Sequence, residues 1–441
     1  MKKILKSFKG EGFKAQLVRG FTGNLGVKIT NMLLTLASGI LLARALDPEG
    51  YGIYAFVLSI IALLGLPTQG GLPTLVMRET ARYHHAAAWN KLRGLLGLAN
   101  GFVVVGSILT AIFAALTAWQ FWGGSETQTK TFLWALLLLP LVAFGNVRGA
   151  TLQGLRKVVQ GNLPEQIVRP LLMVLFLLFA SFSGWQVTPQ IAVQFSLLGA
   201  LGAFVVGAIL LMRAFPPQAK RAPPQRETKL WFKSLAPLTL FSSLNIANNQ
   251  IGIVLLGVLG ETDDVAFFRV AFQGAALVPF GLLVLNAVLA PHIVRLYESD
   301  EKEKLQRMLT NSARAALLMT LPLVAIYLLW GGFFVSVLFG DEYLPAAPVL
   351  VILAVGQFIN VAAGSVGLVL NMLGHEKETV KASVAALFIN IALATLLISH
   401  LGAMGAAIAT AASIMFWNLK LILRTNLLTG LNPTALRVKD N

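Results

Sequence analysis

Residues 95–120 read LLGLANGFVVVGSILTAIFAALTAWQ, a run without one charged side chain, and they decide the class of the protein. At 1.5 Å per residue such a run, coiled as a helix, crosses the roughly 30 Å hydrocarbon core of a bilayer. A helix also satisfies its own backbone polar groups, which lipid cannot do. Outward from this run the pattern repeats. Apolar windows of spanning length fall at 22–45, 52–77, 131–155, 163–185 and 190–213 in the first half. The second half has them at 235–258, 265–291, 312–338, 346–369, 379–399 and 402–423. Pro67, Pro140 and Pro170 interrupt three of these windows. With 56% hydrophobic and 12% charged residues over 441 positions, the chain lies far from soluble composition. It reads as an all-α polytopic membrane protein of about 12 transmembrane helices.

Charge then sets orientation. Lys and Arg number 35 against 19 Asp and Glu, a net +16, but they sit in short clusters between apolar windows and form no patch for nucleic acid. The N-terminus, the even-numbered loops and the C-terminus hold 29 of the 35, whereas the opposite loops hold only Lys130. By the positive-inside rule both termini are cytoplasmic and the number of helices is even. The expected location is a bacterial-type cytoplasmic membrane, where the basic loops also attract anionic membrane lipids. No cysteine is present, which excludes disulfides, thiolate metal sites and cysteine nucleophiles.

The organisation follows. Residues 1–20 carry Lys2, Lys3, Lys6, Lys9, Lys14 and Arg19 among Ile4, Leu5, Phe8, Phe13 and Leu17, the pattern of an amphipathic interfacial segment. Two six-helix bundles, 21–213 and 234–424, flank a cytoplasmic linker, 214–233, that contains Pro216, Pro217, Pro223 and Pro224. A cytoplasmic tail, 425–441, ends the chain. At an offset of 213 residues Gly39, Ile40, Leu42 and Leu46 fall on Gly252, Ile253, Leu255 and Leu259, and Arg82, Lys91, Leu92 and Leu96 on Arg295, Lys304, Leu305 and Leu309. That register points to internal duplication, with the halves as parallel repeats around a central cavity.

Five basic residues remain inside the windows: Lys28, Arg44, Arg148, Arg169 and Arg269. Each costs about 2.5–3.5 kcal/mol at the bilayer centre. They either snorkel to the headgroups or form a cationic lumen that attracts an anion. The deepest of the acids is Glu165, near the start of the fifth window. Among the amides, Asn245, Asn248, Asn249 and Gln250 form the densest cluster, with Gln273 and Gln357 beyond it. They can pair with sugar hydroxyls or with one another between helices. Asp263 and Asp264 fall in a solvated outer loop. No HExxH, phosphate-binding loop or metal cluster is present, so no enzymatic activity and no cofactor are expected.

The segments LLARALDPEGYGIYAFVLSIIALLGLPTQGGLPTLVMRETARYH (Leu41–His84), FFRVAFQGAALVPFGLLVLNAVLAPHIVRLYESDEKEKLQRML (Phe267–Leu309) and LVLNMLGHEKETVKAS (Leu368–Ser383) resemble patterns of the polysaccharide transporter family, which includes O-antigen flippases. The resemblance implies the fold of the multidrug, oligosaccharidyl-lipid and polysaccharide exporter superfamily. It also implies alternating access, with a polyprenyl-diphosphate-linked oligosaccharide moved from the cytoplasmic to the outer leaflet. On that implication the lumenal cations meet the diphosphate and the amides meet the sugars, and a polysaccharide polymerase or glycosyltransferase complex is a candidate partner. An ion-coupled multidrug-type antiporter ranks second, and a membrane glycosyltransferase or assembly scaffold third.

Overall fold

The computed structural model describes residues 13–122 and 125–435. Most of the expected interfacial segment and the last residues of the tail therefore lie outside the described residues. No strand occurs among the described residues. Among the described residues, eleven helical spans are long and apolar enough to cross a membrane.

The first half begins with α1, Phe13–Ala45. The Asp47 carboxylate accepts the Gly50 N–H at 2.7 Å and so caps α2, Pro48–Gln69, whose first residue is a proline with no N–H to leave unpaired. The window over 52–77, expected to be broken around Pro67, breaks at Gly70–Gly71, and α3 restarts at Leu72 and ends at His85. The break is covered by α11, Thr228–Leu259. The freed Gly71 N–H donates to the Thr239 hydroxyl at 3.1 Å, and a Cβ on Gly71 would overlap Leu238. Then follow α4 (Trp89–Trp122), α5 (Glu126–Leu136) and α6 (Leu138–Gly154). The next span is composite, with α7 (Val158–Leu163), a π-helical turn over Pro164–Val168 and α8 (Arg169–Phe182) in succession. After α9 (Pro189–Ala214), the expected linker holds a short helix, α10 (Pro217–Arg221), and already contains the first turns of α11.

In the second half, α12 (Thr262–Ala275) and α13 (Phe280–Glu298) replace the single window expected over 265–291. Next come α14 (Lys302–Phe339), α15 (Ala346–Ala363), α16 (Val366–Met372) and α17 (Glu376–Thr429). A straight helix of 54 residues would be about 80 Å long, more than twice the hydrocarbon core. Instead α17 turns at Gly402, where φ is +51° and ψ is −128°. Counted as two, it brings the spans to twelve. Asp264, expected in a solvated loop, lies in the first turn of α12. Its carboxylate accepts the Ala403 N–H that the turn leaves over and packs against Gly402, where a Cβ has no room.

The halves repeat each other in backbone detail. Helix ends at His85 and Glu298, and helix starts at Trp89 and Lys302, are 213 residues apart. Between them Ala87 (φ +51°) and Asp300 (φ +56°), again 213 apart, make the same left-handed corner. Later corners shift to an offset of 218, pairing Arg156 with Gly374 and Gly184 with Gly402. Core positions follow: Val76 and Leu92 in the first half correspond to Leu289 and Leu305 in the second.

Packing divides the chain into two compact units. One is Ile60–Ser243 with the chain before Leu46, and the other is Leu46–Ser59 with Leu244–Asn441. In the first unit Leu72, Leu75, Tyr83, Leu95 and Trp231 share one buried cluster. In the second, Tyr51, 2% exposed, is edge-on to Tyr343 at 6.2 Å. The Tyr343 hydroxyl donates to the Leu46 carbonyl at 3.0 Å.

Candidate functional site

In the first unit a group of half-buried polar side chains forms where α1, α6, the π-turn and α9 meet. Pro170 has no N–H to offer the carbonyl of Gln166, four residues earlier. That carbonyl accepts instead from the Asn31 amide, at 2.7 Å. The π-turn places Glu165 against α6 at Gly145, where any Cβ would overlap the carboxylate. Arg169, one turn on, approaches Glu165 at 3.7 Å. Arg148, on α6, lies over the Phe204 ring, with its guanidinium carbon 3.5 Å from the ring centroid. It also donates to the Phe204 carbonyl at 3.1 Å and is near enough to Glu165 to attract it directly. Stacking and a backbone acceptor hold a guanidinium in apolar surroundings at far lower cost than lipid would.

The structure thus brings Arg148 and Arg169 together around one carboxylate. With all three ionised, the group carries one net positive charge. Beside it runs a chain of amides: Gln153 donates to Asn162 at 3.0 Å, and Asn162 donates to Asn24 at 2.7 Å. Asn146 donates to Gln69 at 2.8 Å. Lys28, exposed, falls one turn from both Asn24 and Asn31 on α1, whereas Arg44 is exposed at the far end of that helix. Arg44 falls in the last turn of its helix, where the helix dipole favours a cation.

Arg269 belongs to the other unit. It is half-buried on α12 and is hydrogen-bonded to the Tyr51 hydroxyl. The amide cluster of α11 splits between two faces. Asn245 and Asn249 are exposed, and the Asn249 amide donates to the Asn245 carbonyl at 2.8 Å. Asn248 turns inward, donating to Leu244 O at 2.8 Å and to Ser383 O at 3.3 Å. Gln250 is half-buried, its Oε1 without a hydrogen-bond partner among the described residues. Gln273 is half-buried on α12. Gln357 accepts from Asn360 at 3.1 Å, and Asn360 accepts from Asn418, 1% exposed, at 3.0 Å.

Sequence reasoning passed over Asn24, Asn162, Asn418 and the role of Glu165. The four-residue spacing from Glu165 to Arg169 is an i,i+4 ion-pair signal. Asn24, Asn162 and Asn418 carry no such local mark.

Composite helices, half-buried polar clusters inside apolar spans and a duplicated half define a multi-pass membrane protein of the transporter class. The fold agrees with a multidrug resistance MATE transporter of the MOP superfamily, solved facing inward, at a TM-score of 0.74, with 17% identity over 93% of this chain and 98% of that one. It also agrees with the lipid II flippase MurJ in an inward closed conformation, at 0.71 and 12% identity over 91% and 86%. The chain belongs to the polysaccharide biosynthesis protein family, whose sequence profile matches residues 17–297. A Shigella flexneri protein named as an O-antigen transporter is 23% identical over 93% of this chain and 96% of its own length.

Proposed function

We propose that the protein is a flippase carrying polyprenyl-diphosphate-linked oligosaccharide from the cytoplasmic to the outer leaflet of a cytoplasmic membrane by alternating access, for surface polysaccharide synthesis. The observation that carries this reading is the Arg148–Glu165–Arg169 group, two guanidiniums to one carboxylate within apolar spans. One cation and one phosphate charge 4 Å apart gain roughly 4 kcal/mol at an effective dielectric near 20. An arginine can grip phosphate bidentately, and a diphosphate can compete with Glu165 for both. The amides Asn24, Asn162 and Gln153 beside the group suit sugar hydroxyls, while the lipid tail stays in the bilayer. The Shigella flexneri relative, alike over nearly its whole length, supports the same substrate class. Cytoplasmic termini follow from the 29-to-1 distribution of basic residues between the two sides.

An ion-coupled antiporter is the second reading, favoured by Glu165 itself, a mostly enclosed carboxylate in an apolar span. One experiment separates the two. In proteoliposomes Arg148→Glu and Arg169→Glu lower flipping of lipid-linked glycan at least about tenfold with unchanged protein content, and Arg169→Lys keeps part of the rate because the charge survives without the planar fork. No glycan flipping by the wild type, together with ion-driven efflux of a cationic dye that Glu165→Gln abolishes, would establish the antiporter instead.

A further inference from the structure

The chain between α9 and α11 does not hang free: it is fastened to the first turns of α4. Arg93 donates from one nitrogen to Lys220 O at 3.0 Å and Ala222 O at 2.8 Å. The Gln225 N–H donates to Asn90 O at 3.0 Å, and the Asn90 amide to the Gln225 side chain at 2.7 Å. Gly94 lets the Gln225 carbonyl come so near that no Cβ would fit. Between this strap and α4 is a cleft of about 300 Å³ lined by Arg93, Arg226, Leu96, Gly97, Phe215 and Pro224. None of its lining residues is acidic.

Beyond the cleft the same face of α4 stays open. Gly97 and Gly101 lie one turn apart on the face that opens from it, and a Cβ on either would meet nothing within 4 Å. Further turns on that side bring Val105, Ile108 and Ile112, each more than half exposed. Two guanidiniums at the head of a smooth, then apolar, stripe match an amphiphile with an anionic head and a hydrocarbon tail. A free anion has no use for the stripe, and a zwitterionic lipid would bring its own cation against two arginines.

We propose that this cleft binds one anionic phospholipid, its phosphodiester between Arg93 and Arg226 and an acyl chain along Gly97, Gly101 and Ile108. Arg93 is held in place by the strap's carbonyls, and Arg226 sits on the strap itself, so an occupied cleft ties the strap to the membrane. The inference stands apart from the flippase reading, and its test does not measure glycan.

The full chain, purified and exchanged into mixed phosphatidylglycerol and phosphatidylcholine, is examined by native mass spectrometry for retained lipid. Wild type keeps phosphatidylglycerol in preference to phosphatidylcholine. Arg226→Gln lowers that retention about fivefold, the effect of one basic residue near a charged lipid. Gly97→Phe, which fills the floor at an open position, lowers it as much while leaving the melting temperature in phosphatidylcholine unchanged. Wild-type retention by both variants overturns the proposal. Displacement of the lipid by inorganic phosphate at millimolar concentration would make this a site for free anions, and selective displacement by lipid-linked glycan would make it a substrate site. Either result also overturns it.

Discussion

The Tyr83 hydroxyl donates to the Glu227 carboxylate at 2.8 Å, joining α3 to the segment that enters α11. Lys91 reaches the other carboxylate oxygen at 2.6 Å, and the Trp231 indole donates to Tyr83 at 3.0 Å. Trp231 is 1% exposed, so its N–H has no water to fall back on. Tyr83→Phe should cost about 1–3 kcal/mol through the stranded indole donor, read as a lower melting temperature in detergent. Trp231→Phe should cost less in that background than in wild type, because there it also removes the donor left unpaired.

Acid should loosen the same joint. Hydrogen bonds from Lys91 and then Tyr83 hold the Glu227 carboxyl below its ordinary range. A depressed carboxyl stabilises the fold above its unfolded value, about 4.3, and that contribution is lost as pH falls through the folded value. Protection of the amides of 218–222 and 225–227, relative to their intrinsic exchange rates, should therefore fall between pH 5 and pH 3 more in wild type than in Glu227→Gln. Equal slopes would rule Glu227 out as the cause. At the alkaline end burial pushes Tyr83 up to about 12, so its contribution fades as pH rises from about 10 towards 12.

The carbonyl of Gln166 offers a test of how the π-turn is supported. Asn31→Ala removes its donor and should cost about 1–3 kcal/mol. Pro170→Ala restores a backbone N–H four residues on, so the double variant should recover part of the loss. Strict additivity in a double-mutant cycle of melting temperatures would show that Asn31 acts through something else.

Gly145→Ala forces the Glu165 carboxylate away from α6 and should destabilise by about 1–3 kcal/mol. Pairing it with Glu165→Ala empties the contested space. Recovery of stability without recovery of glycan flipping would separate the packing role of that carboxylate from its charge.

Hydropathy made the spans legible because lipid leaves a crossing segment no choice but an apolar helix. It flagged the break near Pro67 without its exact place at Gly70–Gly71 and missed the one at 276–279, since both stretches lack charge and the polar groups they expose are met locally or by another helix, as Thr239 does for Gly71. The arginines were visible as misfits in their windows. What holds them was not: Phe204 lies 56 residues from Arg148, and nothing in a Phe marks it as a platform for a cation. The amide clusters were half legible, because the run from Asn245 to Gln250 stands out by density while Asn24, Asn162 and Asn418 find their partners only through helix packing.

The matched corners at Ala87 and Asp300, and at Arg156 and Gly374, amount to mutagenesis already carried out within one chain. Each left-handed turn has been kept while its side chain was exchanged, so what persisted there is a path of backbone and not a chemical group. The sister position is then a ready guide to what each corner tolerates. Where the two copies have diverged at sites that do carry chemistry, as Arg93 and Gln306 have at the 213-residue offset, the difference marks work that one half took on and the other did not. Gln306 still clasps the chain end of its own half, through Asn432 at 2.8 Å, as Arg93 clasps the strap, but it brings no charge to the task.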